Sequence, residues 1–256
     1  MILAIDIGNT HIVIGAIQKQ TIVFKARIST ATKRTSDELA FFIGGILKNH
    51  HVNLQNMEGG IVSSVVPELK AVMQHAMEQL IGKPILVVGS GLRTGLNIRT
   101  DDPAQLGSDL VLAAVAAVSK YPKPIIIYDL GTATTLSVID PQGSYIGGMI
   151  IPGMRLSIDA LSAQAAQLPY VPLEKPQQFV GSNTVNCMQS GVIYGHAAMV
   201  DGLSDRVEEF LGMPATVVAT GGLVPLIAPY CKRKFICDEH LLLDGLRILY
   251  EKNHAR

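Results

Sequence analysis

The stretch AIDIGNTHIVIGAI, residues 4–17, has a counterpart in IIIYDLGTATTLSVID, residues 125–140. Each copy reads as an apolar strand, an aspartate, one apolar residue, a glycine, small polar residues and a second apolar strand. Asp129 aligns with Asp6 and Gly131 with Gly8, at an offset close to half of the 256-residue chain. Solenoid repeats are much shorter, so this one predicts two duplicated α/β domains.

The two aspartate–glycine turns are candidate binding elements. A glycine allows a tight bend and a close approach of the backbone to a ligand. Backbone amides around such a turn can point at phosphate oxygens, and an aspartate at the strand end can hold a cation directly or through water. Two facing turns would hold a nucleoside triphosphate and its metal between the domains. The alternative is a pair of ordinary hairpins with aspartate-initiated turns, but their matched placement favours binding.

A second pair of segments supports the duplication. GIVSSVVPEL, residues 60–69, and TVVATGGLVPLI, residues 216–227, each read as a strand, a small-residue loop and a proline near a helix start. SDLVLAAVAAVSK, residues 108–120, predicts a helix that is apolar nearly all round, so it lies in the interior or at a subunit interface. We place the domain boundary after this helix, which gives domains of residues 1–120 and 121–256.

Composition excludes several classes of protein. Apolar residues make up 48% and charged residues 16%, which allows a large core and favours a subunit interface. Lysine and arginine balance aspartate and glutamate at 21 each, unlike the basic surface of a nucleic-acid binder. The three cysteines form neither an even disulfide framework nor a zinc pattern. The N-terminus does not read as a signal peptide, and the most apolar run, residues 110–118, is too short to span a bilayer. We therefore expect a cytoplasmic protein that contacts neither nucleic acid nor membrane.

A series of motifs runs along the chain in a characteristic order. They are DIGNT at 6–10, DDPAQLGSD at 101–109, DLGTATT at 129–135, GGMIIPG at 147–153, GSNTVNCMQSG at 181–191 and ATGG at 219–222. Together they resemble the type III pantothenate kinases of the acetate kinase–sugar kinase–Hsp70–actin superfamily. The resemblance implies two ribonuclease H-like (actin-like ATPase) domains with the active site in the cleft between them, and a homodimer. It also implies ATP-dependent phosphorylation of pantothenate to 4′-phosphopantothenate, the first step of coenzyme A biosynthesis.

The resemblance implies an ATP site that uses both turns. Its residues would be Asp6, Ile7, Gly8, Asn9, Thr10, His11, Ile12 and Val13 around the first turn, Thr132 in the second, and Gly221 and Gly222 in the ATGG segment. Asp6 would lie near Mg²⁺, directly or through water. Asp129 would bind a monovalent cation, K⁺ or NH₄⁺.

The same resemblance implies the substrate site. Asp109 matches the general base, which takes the proton from the pantothenate hydroxyl as that oxygen attacks the γ-phosphate. Gly107, Ser108, Asp109 and Leu110 would contact pantothenate, and Thr184 would reach it at the dimer interface. From the residues alone, Asp109 could instead be a carboxylate that stabilises a helix N-terminus.

One position departs from the family pattern. The family usually reads Gly-Ala-Asp-Arg, whereas this chain has leucine at position 110. That arginine is expected to pair with the pantothenate carboxylate, which leucine cannot do. Arg99 and Arg155 are candidates to replace it, and the sequence favours Arg99, which lies in the same loop segment. Thr100 also stands where the family often has an aromatic residue.

Two alternative functions therefore stay open. One is a kinase of another small polar alcohol, and the other is a non-catalytic accessory regulator of transcription with the same fold. A protein that had lost catalysis should have lost Asp6, Asp109 or Asp129, and all three are present.

Overall fold

Two five-stranded mixed sheets organise residues 1–254, the part of the chain that the computed structural model describes. Each sheet belongs to a compact unit. The first unit contains Met1–Leu96, Asp101–Ser119 and residues 240–254, and the second contains Asn97–Thr100 and Lys120–Glu239. These units are defined by contacts in the folded chain. The boundary of the duplication, placed at residue 120 from the sequence, stays a prediction.

The first sheet has the strand order β3-β2-β1-β4-β5. Its strands are β1 (Ile2–Ile7), β2 (His11–Gln18), β3 (Thr21–Ser29), β4 (Gly59–Ser64) and β5 (Ile85–Val87). β1 is buried along its whole length. It pairs antiparallel with β2 and parallel with β4, and this register sets Asp6 beside Val13 on one side and Ser63 on the other.

Helices cover this sheet. They are α1 (Ser36–Asn49), α2 (Pro67–Ile81), α3 (Ser108–Lys120) and α7 (Leu241–His254). α1 begins at the capping box that Thr35 and Glu38 form, and it shares with α2 an apolar core that includes Leu3, Ile5 and Ile7 of β1. α3 and α7 touch closely, since a Cβ on Gly245 would lie 2.3 Å from the carbonyl oxygen of Leu112.

The sequence pattern of helix α3 left open whether it lies in the interior or at a subunit interface. All of its residues from Val111 to Ala117 are buried within a single chain. Of the two placements that the sequence left open, the interior is the one that the structure shows, and these residues leave no apolar surface for a partner subunit. The helix is apolar on every side because the chain itself surrounds it.

The second sheet repeats the first. Its order is β10-β9-β6-β7-β8, which from the other edge matches the first sheet strand for strand. The strands are β6 (Ile125–Leu130), β7 (Ala133–Ile139), β8 (Tyr145–Pro152), β9 (Thr216–Thr220) and β10 (Ile236–Cys237). β6 takes the place of β1, pairing antiparallel with β7 and parallel with β9. The predicted α/β class and duplicated architecture are confirmed.

Three helices accompany the second sheet, namely α4 (Met154–Gln164), α5 (Thr184–Leu211) and the short α6 (Val224–Ile227). A proline-containing segment, residues 165–183, joins α4 to α5. Among residues 1–254, no helix combines the length and the apolar character that a membrane span requires.

Candidate active site

The first turn joins β1 to β2, and hydrogen bonds from Thr30 hold its backbone in place. The Gly8 N–H donates to the His11 carbonyl at 2.9 Å, which closes the turn. Thr30, just beyond β3, donates its hydroxyl to the Gly8 carbonyl at 2.7 Å and its N–H to the Thr10 carbonyl at 2.9 Å. Asn9 and Thr10 are exposed. The turn therefore has a fixed backbone and an open outer surface.

The strand residues beside this turn differ in what they can contribute. Ile7 and Ile12 are fully buried in the core, so they support the turn from within, and Val13 is half-buried. His11 is exposed at the start of β2. Partial burial, together with the nearby Arg27 charge, lowers the pKa of His11 and so favours its neutral imidazole.

The segments that carry Asp6 and Asp109 meet at one end of the first sheet. Asp6 is buried near the end of β1 and lies beside Ser63 of β4 in parallel register, so the two side chains share a face. The Ser63 hydroxyl donates to the Ser108 hydroxyl at 2.9 Å, and Ser108 donates to the Ser64 carbonyl at 3.3 Å. The first residue of α3 is thus attached to the strand that neighbours Asp6.

Asp109, the next residue of α3, has a half-buried and constrained carboxylate. Its Oδ1 accepts the N–H of Leu110 at 2.9 Å. A Cβ on Gly107 would lie 2.5 Å from the same oxygen, so the carboxylate occupies the space that the missing side chain leaves. Burial raises the pKa of Asp109, and backbone hydrogen bonds from Leu110 and from its own N–H oppose part of that rise. Gly107, Ser108 and Leu110 are half-buried around it.

The second turn joins β6 to β7 in the same way, with the Gly131 N–H donating to the Ala133 carbonyl at 3.1 Å. Asp129 lies near the end of β6, between Thr135 of β7 and Thr220 of β9. Thr132 at the tip of the turn is exposed.

Two glycines from distant motifs pack against this second turn. Gly221 has a φ of +99°, and a Cβ there would lie 2.6 Å from both Asp129 Oδ1 and the Leu130 carbonyl oxygen. A Cβ on Gly153 would lie 2.2 Å from the Thr132 carbonyl oxygen. The structure therefore brings the DLGTATT, GGMIIPG and ATGG motifs into one cluster in the second unit. Gly222 follows as an exposed residue.

The two candidate arginines have different surroundings. Arg99 Nη1 lies 3.5 Å from Oδ2 of the buried Asp140, and its side chain is 62% exposed. Arg155 is exposed in the first turn of α4, two residues after Gly153. Within residues 1–254, Arg155 makes no hydrogen bond or ion pair. Arg99 therefore already faces a carboxylate, whereas Arg155 has no charged partner among the described residues.

Thr184 is the exposed first residue of α5. The preceding Asn183 caps the helix, since its side chain accepts the N–H of Asn186 at 2.9 Å. The GSNT motif thus builds a helix start that presents Thr184 on the surface of the second unit.

Sequence reasoning assigned no role to three residues that support the site. Thr30 hydrogen-bonds to the first turn, Gly153 packs against the second turn, and Ser63 donates to Ser108. Two of them had a local signal. Gly153 ends the GGMIIPG motif, and Ser63 lies at the end of an apolar strand in the segment that matches the ATGG segment of the other half. Thr30 and Gly153 act through contacts with residues far away in sequence, which motif spacing does not reveal.

Comparison with known proteins agrees with these motifs. The family model for type III pantothenate kinase matches residues 2–206. A type III pantothenate kinase of Exiguobacterium sibiricum is 44% identical over 253 residues, covering 99% of this chain and 100% of the relative. One of Myxococcus xanthus is 39% identical over 255 residues, covering 100% of both chains.

Solved structures share the fold at low sequence identity. A conserved Campylobacter jejuni protein assigned to the Baf family of transcriptional activators aligns with a TM-score of 0.60 and 18% identity, covering 99% of this chain and 100% of its own. Component A of (R)-2-hydroxyglutaryl-CoA dehydratase from Acidaminococcus fermentans aligns with a TM-score of 0.54 and 16% identity, covering 95% and 93%. These likenesses concern the fold alone. The family match and the full-length relatives go further, and by them the chain belongs to the type III pantothenate kinase family.

Proposed function

We propose that this protein transfers the γ-phosphoryl group of ATP to the hydroxyl of pantothenate, with Asp109 as general base. The product is 4′-phosphopantothenate, and the reaction is the first step of coenzyme A biosynthesis. The observation that carries the proposal is the match to type III pantothenate kinases along the whole chain. The chain's free thiols suit a reducing compartment, and we place the enzyme in the cytoplasm.

Asp109 suits the role of base in three respects. Its carboxylate is held in one orientation by the Leu110 N–H and by the space above Gly107. Burial raises its pKa, and a carboxylate that binds a proton more tightly is a stronger base near neutral pH. The proton of the pantothenate hydroxyl passes to this carboxylate as the oxygen bonds to phosphorus.

The two turns suit the phosphates of ATP. Phosphoryl transfer depends on positioning and charge neutralisation more than on covalent chemistry. Asn9, Thr10 and Thr132 are exposed residues of these turns, and backbone N–H groups of such turns can donate to phosphate oxygens. The close approach of Gly221 to Asp129 leaves no room for a side chain along that edge.

Mg²⁺ neutralises the phosphate charge when it is bound. Asp6 would hold it, directly or through water, from the buried end of β1. Within residues 1–254, no cluster of three or more metal-binding side chains occurs. That fits Mg²⁺, which proteins commonly bind through one or two carboxylates together with substrate phosphates.

Asp129 would hold the monovalent cation. Its Oδ1 and the Leu130 carbonyl oxygen each lie 2.6 Å from the Cβ position of Gly221, so the two oxygens are neighbours on one side of the second turn. Oxygen atoms of carboxylates and carbonyls are the ligands that such hard cations take.

For the pantothenate carboxylate, the surroundings of the two arginines favour Arg155. A carboxylate that leaves water needs a charged or strongly hydrogen-bonded partner. Arg99 already pairs with the buried Asp140, and removing it would leave that carboxylate without its charged partner, with only the Ser144 N–H among residues 1–254 donating to it. Arg155 has no such competing partner within the described residues and follows the Gly153 contact with the second turn.

The deciding experiment measures ADP release with pantothenate, with pantothenol (which lacks the carboxylate) and with a panel of other small alcohols. We expect pantothenate to be the preferred substrate. Arg155→Ala should raise KM for pantothenate at least about tenfold, because losing a charged hydrogen bond costs roughly 1.5–3 kcal/mol. KM for ATP should change less. Arg99→Ala is measured in parallel. The control is Arg206→Ala, since Arg206 is another exposed helical arginine of the second unit.

Two results would count against this assignment. If neither Arg155→Ala nor Arg99→Ala raises KM and pantothenol is used as well as pantothenate, no specific carboxylate site exists. Preference for a different alcohol would favour the second candidate function, a kinase of another small polar alcohol. The uncharged Leu110 is the observation that keeps this candidate open.

A further inference from the structure

Ser63 is a fully buried serine at the end of β4, in a place where an apolar side chain would be expected. Buried hydroxyls are normally hydrogen-bonded, and this one donates to the Ser108 hydroxyl at 2.9 Å. Ser108 in turn donates to the carbonyl of Ser64 at 3.3 Å. Two successive hydrogen bonds therefore connect β4 to the first residue of α3.

The direction of these bonds limits what Ser108 can do. A hydroxyl has one proton, and that of Ser108 is directed to the Ser64 carbonyl. Ser108 therefore does not donate to Asp109 or to a bound substrate in this arrangement. Its hydroxyl acts as an anchor for the backbone of α3.

This anchor bears on Asp109 because the two residues are adjacent. Consecutive Cα atoms are 3.8 Å apart across a trans peptide, so fixing Ser108 restricts where the Asp109 carboxylate can lie. On the other side, Ser63 is the register neighbour of Asp6. The link therefore joins the strand pair that carries the proposed Mg²⁺ ligand to the helix that carries the proposed base.

We propose that Ser63 is a positioning residue for the phosphoryl transfer, acting on Asp109 through Ser108. The inference rests on the proposed function, in which Asp109 is the general base. The Gly-Ala-Asp-Arg run that is usual in the family lacks the hydroxyl at position 108. The anchor is thus a feature of this chain, which differs from the usual run at the residues on both sides of the base.

The test compares Ser63→Ala, Ser108→Ala and the double variant. A misplacement of about 1 Å can cost up to about 10²-fold in rate, and we expect each single variant to lower kcat about tenfold. KM for ATP should stay unchanged. The double variant should be no slower than either single one, because both substitutions break the same link.

Ser204→Ala is the matched control. Ser204 is as fully buried as Ser63 and also makes a hydroxyl–hydroxyl contact, 3.1 Å from the Tyr128 oxygen, but it lies on α5. Its loss should lower the melting temperature and leave kcat unchanged. The acid limb of the kcat–pH profile is a further readout, since a displaced Asp109 carboxylate changes its burial. We expect that limb to shift in Ser63→Ala and to stay in place in Ser204→Ala.

The outcomes separate this inference from the proposed function. Wild-type kcat in Ser63→Ala and Ser108→Ala, with a lowered melting temperature, would show a purely structural link and overturn the inference. Additive losses in the double variant would also overturn it. If Ser63→Ala fails to fold, the half-buried Ser108→Ala decides alone. A fully active Asp109→Asn would instead remove the proposed function itself.

Discussion

Two opposing effects act on the pKa of the Asp109 carboxyl group. Burial disfavours the charged form, while the N–H groups at the start of α3 favour it, and the net result is a raised pKa. The folded chain therefore binds this proton more tightly than the unfolded chain does. Its stability falls as the pH rises from the unfolded-state pKa, about 3.9, through the folded-state pKa. At neutral pH the ionised group thus costs folding free energy.

Asp109→Asn should consequently lower activity and raise stability together. Loss of a general base typically costs about 10²–10⁴-fold in rate, and ATP affinity should stay near that of the wild type. The melting temperature should exceed the wild-type value at pH 7, and the difference should shrink as the pH falls towards 4. Steady-state kinetics, ATP titration and thermal melts at several pH values measure this. Wild-type turnover would exclude the base role, and a lower melting temperature at pH 7 would mean that the helix-end contact dominates.

Gly107→Ala tests the placement of the same carboxylate without changing its chemistry. The new methyl group would lie 2.5 Å from Asp109 Oδ1, so the aspartate side chain must rotate away. The displaced atom belongs to a side chain that can move, and we expect kcat to fall at least about tenfold with little change in melting temperature. Gly45→Ala in α1, where nothing lies within 4 Å of the new Cβ, is the control. It should stabilise the helix by about 1 kcal/mol and leave kcat unchanged.

At the scale of elements, the two halves share one turn design with different supports. Both turns close through a glycine N–H, at 2.9 Å for Gly8 and 3.1 Å for Gly131. The first is held by Thr30, whereas the second is packed against Gly153 and Gly221. Local spacing predicted both turns and the strand pattern around them, because the residues that form a hairpin are adjacent in sequence. The supports were not predictable because they come from elements distant along the chain.

Helix α3 is a second element whose surroundings could not be predicted from the sequence. Its apolar residues on every side correctly predicted that it is covered, but a sequence pattern does not say by what. The structure covers it with the chain's own elements. Likewise, the sequence placed an aspartate at position 109, and only the packing around Gly107 and Leu110 shows that its carboxylate is held in place and has a raised pKa.

The second turn bears on which ions the enzyme requires. Activity should require Mg²⁺ and, in addition, K⁺ or NH₄⁺, because the Asp129 carboxylate and the Leu130 carbonyl are neighbouring oxygen ligands there. Asp129→Ala should abolish the stimulation by the monovalent cation. Glu174→Ala, which removes an exposed carboxylate of the same unit, should keep it. The measurement is ADP release in buffers with and without K⁺. Equal wild-type rates in the two buffers would refute the cation site.

For the whole molecule, we infer the site of a partner subunit from one set of exposed apolar side chains. Apolar side chains that are 39–78% exposed occur on β8, α4 and the start of α5: Met149, Ile150, Leu156, Leu161 and Val185. The same elements line a cavity of about 510 Å³. A monomer rarely exposes a large apolar patch, and Thr184, which the family resemblance places at the dimer interface, adjoins Val185. We propose a homodimer through this face, which we call the β8–α5 face.

The β8–α5 face predicts how dimerisation and activity respond to a single charge. Light scattering should show a dimer for the wild type at assay concentration. Ile150→Glu places a carboxylate on the most exposed apolar residue of the face, 78% exposed, and should shift the protein to monomer because an interface core disfavours unpaired charge. Pantothenate turnover should fall with it, since Thr184 would no longer reach a partner's substrate. Phe41→Glu alters an equally exposed apolar residue, 76% exposed, on α1, and should change neither mass nor rate. An active wild-type monomer would contradict the homodimer, and dissociation by Phe41→Glu would move the interface to the first unit.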